Sequence, residues 1–214
     1  MENSLILPKT NKKTGKPYLS YSSITSFKRN KKEWAERYLY DKPFQPNHWT
    51  EFGSKVGEAL EHNNFQEFSK EEQRVLKATP RLDEFETMIV WDLGDFEIVG
   101  YIDTNTSDRN HLIDYKTGGP GKQEQYDDPD YWQLAIYAGA CRQAGFKVKT
   151  AEVVFLERIG NPFKGYPLKL KEVPPLIIPQ DIELVRINRL REELYHWAEQ
   201  ISNFTKEWKE MISE

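Results

Sequence analysis

Apolar residues recur every three or four positions along the two ends of the chain, and alternate or run together in its middle. From a cap at Ser22 or Ser23, the residues Ile24, Phe27, Trp34, Tyr38 and Leu39 mark a helix to about Tyr40, broken near Asn30. Thr50 is placed to cap a second helix through Phe68, with Phe52, Val56, Leu60 and Phe65 on one face. A short helix is expected over 71–78. Then the pattern changes. Thr87–Asp92 and Phe96–Ile102 flank Leu93-Gly94-Asp95, a hairpin signal. His111–Lys116 reads as a third strand, stopped by Thr117-Gly118-Gly119-Pro120, with a polar loop over 120–129. Tyr131–Ala144 reads as a helix stopped by Gly145. Thr150–Glu157 reads as a fourth strand and Tyr166–Glu172 as a fifth. From Pro179 to Glu214 the residues Ile187, Leu190, Leu194, Trp197, Ile201, Phe204, Trp208 and Met211 form one apolar face of a long helix packing on the core. Helices, a mostly antiparallel run of strands, helix, strand and long helix together predict a layered α/β fold.

Composition narrows the class. A chain of 214 residues suits one domain carrying a helical extension. Only 38% of residues are hydrophobic, but 13% are aromatic, enough for a sizeable core and against global disorder. Lys9, Lys12, Lys13 and Lys16, set among Gly, Thr, Asn and Pro, make residues 1–20 an expected flexible basic arm. No apolar run approaches the roughly 18 residues of a membrane span. The first residues lack the charged and long apolar regions of a signal peptide, so a cytoplasmic location is expected. The single cysteine, Cys141, excludes an intramolecular disulfide framework and a four-cysteine zinc or iron–sulfur site.

The candidate chemistry lies between residues 100 and 116. Gly100-Tyr101-Ile102-Asp103 ends one strand, and Leu112-Ile113-Asp114-Tyr115-Lys116 forms the next. Residues two apart on a strand share a face, so Asp114 and Lys116 point the same way. The spacing from Asp103 to Asp114 leaves room for one hairpin connection, so adjacent strands bring the two carboxylates together. With the Tyr115 carbonyl near Asp114, they make an oxygen-rich site suited to Mg²⁺ or Mn²⁺, and Lys116 adds a cation at its rim. Phosphodiester hydrolysis needs those parts. The plainer alternatives are a surface ion pair for Asp-x-Lys and a turn residue for Asp103. The apolar flanks Ile98, Val99, Ile102, Leu112 and Ile113 argue instead for central strands, where a buried Asp114 requires a partner.

The order Gly-Tyr-Ile-Asp, then Ile-Asp-Tyr-Lys-Thr-Gly, then a helix with Gln133-Leu134-Ala135-Ile136-Tyr137, resembles the PD-(D/E)XK nuclease superfamily. The branch it looks most like is that of RecB-type nuclease domains and CRISPR-adaptation exonucleases. Tyr21–Phe27 with Trp34, Tyr38 and Leu39 is similar to that branch's opening helix, and Phe52–Glu61 to its second. The resemblance covers roughly residues 20–158. It implies a restriction-endonuclease-like core, a central mixed sheet flanked by helices, over residues 21–178, with 179–214 as the helix laid on it. It implies Asp103 and Asp114 as metal-binding acids, Lys116 as the catalytic lysine, and Gln133 and Tyr137 as a Gln-x-x-x-Tyr motif. Gln133 and Tyr137 share one helix face and would offer an amide to a phosphate or metal-bound water and a ring to a base or sugar. The branch's usual histidine ligand falls at Gly57 here. His62 lies about 140° further round the helix, whereas Glu61 returns close to the same face and is a candidate carboxylate ligand.

The resemblance thus implies a Mg²⁺- or Mn²⁺-dependent deoxyribonuclease without an iron–sulfur cluster. An exonuclease acting on DNA ends or single strands in recombination, replication or repair is the specific expectation, in a bacterial or phage-infected cell. A separate recombinase, single-strand-binding protein or helicase is an expected companion, since the chain carries no nucleotide-binding Gly-rich loop of its own. Lys28 and Lys31 of the first helix are candidate DNA contacts. The alternative, suggested by Gly57, is a nuclease-like fold that holds DNA or a protein without cutting. The net charge of -4 speaks weakly against nucleic acid, but it averages an asymmetry. Many lysines cluster in the first 32 residues, while Glu124, Asp127, Asp128 and Asp130 follow the site.

Overall fold

The computed structural model describes residues 5–128 and 130–211. The chain divides into two compact units that interleave along the sequence. The first comprises Met1–Phe44, Met88–Gly100 and Glu183–Glu214, and the second Gln45–Thr87 and Tyr101–Ile182. Strands β3 (Glu84–Asp92) and β4 (Glu97–Asn105) each run from one unit into the other. The division therefore does not follow the expected boundary at 178/179.

In the first unit the expected arm is ordered into strands from residue 9. β1 (Lys9–Thr10) pairs antiparallel with β2 (Pro17–Leu19), and β2 runs parallel to the start of β4, Leu19 opposite Ile98. The Asn11 amide donates to Glu97 Oε2 at 2.6 Å, and Lys16 meets Asp92 at 2.7 Å. These pairings correct the reading of 1–20 as a mobile tail; residues 1–4 lie outside the described residues. Ser20, not Ser22 or Ser23, caps α1 (Tyr21–Arg29). Asn30 breaks the helix as expected, because its side chain accepts from the backbone of Lys32 and Glu33 and so caps α2 (Lys31–Tyr38). The long helix is α6 (Leu184–Met211), which buries Ile187, Leu190, Leu194 and Ile201. Its Phe204 ring packs 5.4 Å from Phe27 and 6.0 Å from Trp34. Met211, placed on the apolar face by spacing, is 62% exposed at the helix end.

In the second unit Asn47 caps α3 (His48–His62), and Thr50 completes the capping box at its third position. The helix stops short of Phe68 because Asn63 turns left-handed (φ 51°) and ends it. α4 (Lys70–Ala78) has its own box from Ser69 and Glu72. β5 (His111–Gly118) lies antiparallel to β4, Thr104 opposite Ile113, and parallel to β6 (Thr150–Asn161), Asp114 opposite Val153. α5 (Gln133–Gln143) is the crossover that the parallel pairing requires. β7 (Tyr166–Leu170) and β8 (Leu176–Pro179) both pair antiparallel with β6. β8 has no counterpart in the periodicity reading. It is a four-residue run bracketed by prolines and carries too few positions to show a period. Val56, Leu60, Phe65 and Leu76 of the α3–α4 region form one cluster with Ile113, Val154, Leu156 and Leu170 of the sheet. Ile113 and Tyr115 thus face α3 and α4, while Asp114 between them bonds to α5. The sheet is mixed and flanked by helices, as the resemblance implied. Among the described residues no helix is long and apolar enough to cross a membrane.

Candidate active site

All of the acids, the lysine and the Gln-x-x-x-Tyr pair lie in the second unit. One step beyond the Thr104–Ile113 pairing puts Asp103 opposite Asp114 on neighbouring strands. Asp114 is fully buried. Its Oδ2 accepts from the Tyr131 hydroxyl at 3.0 Å and meets Lys116 Nζ at 2.5 Å, and its Oδ1 accepts from Gln133 Nε2 at 2.9 Å. The same Gln133 amide donates to the Tyr137 hydroxyl at 2.8 Å. Asp103 Oδ2 accepts the backbone N–H of Tyr115 at 2.6 Å, while the Tyr115 hydroxyl donates to the Pro80 carbonyl at 2.7 Å.

Burial and the neighbouring Asp114 charge push the Asp103 carboxyl up to about 7, against the pull of Lys116 and the Tyr115 N–H. Burial alone would lower the Lys116 ammonium, but Asp114 and Asp103 outweigh it and hold the lysine above its ordinary value. Burial, then Asp114, raises the Tyr137 hydroxyl. The cluster sets a lysine, raised by its acidic neighbours, against two carboxylates, of which Asp103 is raised by burial and then by the Asp114 charge.

A model of the PD-(D/E)XK nuclease superfamily matches residues 21–212. The chain belongs to this superfamily. Among solved structures it is similar to a candidate exonuclease from Eubacterium rectale, with a TM-score of 0.60 and 14% identity over 87% of this chain and 81% of that one. That likeness speaks for the fold. No curated protein sequence matches the chain.

In this nuclease the expected residues are gathered unequally. Asp103, Asp114, Lys116 and Gln133 come together, as does the hydroxyl of Tyr137. The Tyr137 ring, however, is 5% exposed within α5, so it cannot offer a face to a base, and the hydroxyl instead positions the Gln133 amide. Glu61 lies in the same unit as the two acids. Among the described residues no three His, Cys, Asp or Glu side chains gather in one cluster. The Glu61 charge acts on Glu86, and the Glu86 charge on Asp103. Lys28 and Lys31 belong to the other unit, exposed, with their ammonium groups 5.0 Å from the Trp197 ring centroid and 5.1 Å from that of Phe27.

Superfamily members generally use divalent cations. The donor set present fits one. Two carboxylates, Asp114 fully buried and Asp103 raised by burial and then by the Asp114 charge, suit a Mg²⁺-like ion, which takes one or two protein carboxylates and fills its shell with water and phosphate oxygens. Two residues escaped the sequence reading. The sequence pattern puts Tyr131 at the helix start, but it precedes α5 and its hydroxyl reaches Asp114. Glu86 sits in β3 with a left-handed backbone (φ 49°), and its charge acts on Asp103. No periodicity could have marked it.

Proposed function

We propose that this protein is a metal-dependent deoxyribonuclease that trims DNA ends or single strands in recombination, replication or repair. The observation that carries this reading is the Lys116–Asp114 ion pair with Gln133 on the same carboxylate and Asp103 on the adjoining strand. Asp103 and Asp114 would hold Mg²⁺ or Mn²⁺, with the Tyr115 carbonyl as a proposed further donor. An ion held there would supply Lewis acidity toward the scissile phosphate and toward the attacking water. Lys116 supplies a fixed positive charge for the phosphorane-like transition state. Gln133, held between Asp114 and the Tyr137 hydroxyl, fixes the orientation of the acid and has a carbonyl side facing the Tyr131 hydroxyl at 3.1 Å. Lys28 and Lys31 are proposed contacts to DNA phosphates.

The test is cleavage of end-labelled single- and double-stranded DNA with Mg²⁺, Mn²⁺ or EDTA. Metal-dependent release of short products from an end supports the reading, and cutting of closed circles at an equal rate replaces an exonuclease with an endonuclease. A second reading, a nuclease fold that binds without cutting, is favoured by Gly57, where the resembled branch carries a histidine. DNA binding with no cleavage under any metal would establish it.

A further inference from the structure

The hairpin joining β6 to β7 carries features that the hydrolytic cluster does not use. Its tip is a short turn, Pro162–Lys164, held by Asn161 Oδ1 accepting the Phe163 N–H at 3.1 Å. This places Phe163 outward, 76% exposed, and Tyr166 is 65% exposed beside it. A single exposed ring is ordinary, whereas several gathered in one place mark an interaction surface. Phe163 is not alone. Trp49, at the start of α3, lies 5.4 Å from it at an interplanar angle of 57°, and the His48 ring lies 6.1 Å away.

The charge of the segment points in one direction. Between Arg158 and Leu170 there are three cations, Arg158, Lys164 and Lys169, and no carboxylate. None of the three has a carboxylate partner among the described residues. Arg158 stands 5.8 Å from the Trp49 ring centroid, and its Nε is buried without a hydrogen-bond partner. A half-buried guanidinium without a carboxylate partner suits an incoming anion at its more accessible N–H groups. Glu51, 3.8 Å from His48, is the carboxylate that tempers this surface.

The surface leads to the cluster. Arg158 acts electrostatically on Tyr126, which in turn feels Lys116 and Asp114. The Tyr126 ring packs 5.1 Å from that of Tyr131, whose hydroxyl reaches Asp114. Rings and cations therefore continue from Phe163 through Trp49, Arg158 and Tyr126 to the buried carboxylate, all within one unit.

We propose that this hairpin and the start of α3 form a subsite for the unpaired segment of a DNA strand, with bases stacked at Phe163 and Trp49 and a backbone phosphate at Arg158. Exposed ring faces favour single strands, because bases in a duplex already stack on each other. The proposal rests on the nuclease reading for its substrate class, and the test separates the two. Binding of a labelled single-stranded oligonucleotide and of a blunt duplex is measured by fluorescence anisotropy in EDTA, where no cleavage occurs. Cleavage of the same strands is followed separately with Mn²⁺.

Phe163→Ala should weaken single-strand binding on the order of 10-fold and leave duplex binding little changed, and Phe163→Trp should retain it. Lys164→Gln and Arg158→Gln should each weaken binding and flatten the slope of log K against log salt by about 0.7. Circular dichroism melting confirms that each variant folds, and Lys164, at the exposed tip, keeps the test valid where Arg158→Gln melts early. Wild-type affinity in Phe163→Ala and Lys164→Gln, or an equal loss for duplex, overturns the subsite. If the wild type binds in this ring-dependent manner but never cuts, the subsite stands and the nuclease reading fails. If it cuts and the variants bind like wild type, the reverse holds.

Discussion

The Lys116 ammonium is held 2.5 Å from Asp114 Oδ2, two residues back on the same strand face. Asp114 is fully buried while the Lys116 side chain is one-quarter exposed, so the lysine is the acid's link to the open side of the site. Replacing Lys116 by Ala leaves a buried carboxylate without its cation. The expected outcome is a loss of about 3 kcal/mol in unfolding free energy and a larger fall in turnover than in DNA affinity. Urea melts together with single-turnover kinetics check both halves, and an affinity loss at unchanged turnover would make Lys116 a phosphate anchor.

Asp103→Asn and Asp114→Asn should each reduce metal-dependent cleavage on the order of 10³-fold or more. Asp103→Asn should leave folding intact, because it removes one of two carboxylates that repel each other without a cation. Cleavage rates and melting temperatures of the purified variants decide this.

The pH dependence has a definite sign. The Asp103 carboxyl is raised to about 7, above the value near 3.9 of an unfolded chain. Between those values the folded protein binds a proton that the unfolded chain does not, so this group's contribution is largest near pH 4 and is lost as pH rises through 7. In EDTA, the melting temperature of wild type should fall over this window more than that of Asp103→Asn. Added Mg²⁺ should flatten the difference and release protons near pH 7, measurable by calorimetry in two buffers.

Gly57 lies inside α3 and a Cβ added there meets nothing within 4 Å. Gly57→Ala should therefore stabilise the protein by about 0.5–1 kcal/mol. Gly57→His tests the departure from the resembled branch. Its expected signature is faster cleavage at limiting Mn²⁺ with little change at saturation, and identical metal titrations would show that the position does not reach the ion.

Tyr131→Phe removes the hydroxyl that lies 3.0 Å from Asp114 Oδ2. A hydrogen bond to a charged group contributes about 1.5–3 kcal/mol, so melting should show a loss of that order. Gly118→Ala is expected to be costly for a different reason. Its Cβ would stand 2.7 Å from Phe155 Cε2, and that ring packs against Tyr126. An overpacking loss of about 1–3 kcal/mol is expected in the same melts.

The sequence by itself determined the local order of this protein. Caps, breakers and periodicity placed the helices and most strands, because Ser, Asn and Gly act on the backbone within a turn of where they stand. The Asp-x-Lys pair was legible too, since strand alternation alone puts Asp114 and Lys116 on one face. Gln133 and Tyr137 were tied to each other by helical spacing. Tertiary structure alone decided the rest. It placed Gln133 and Tyr131 on Asp114 and buried the Tyr137 ring. It drew residues 9–19 into paired strands, a choice that depends on hydrogen bonds to β4 some eighty residues away. It also brought the Glu86 charge to act on Asp103 and set Trp49 against Phe163. Those outcomes rest on contacts between distant segments, whose geometry no local pattern of side chains encodes.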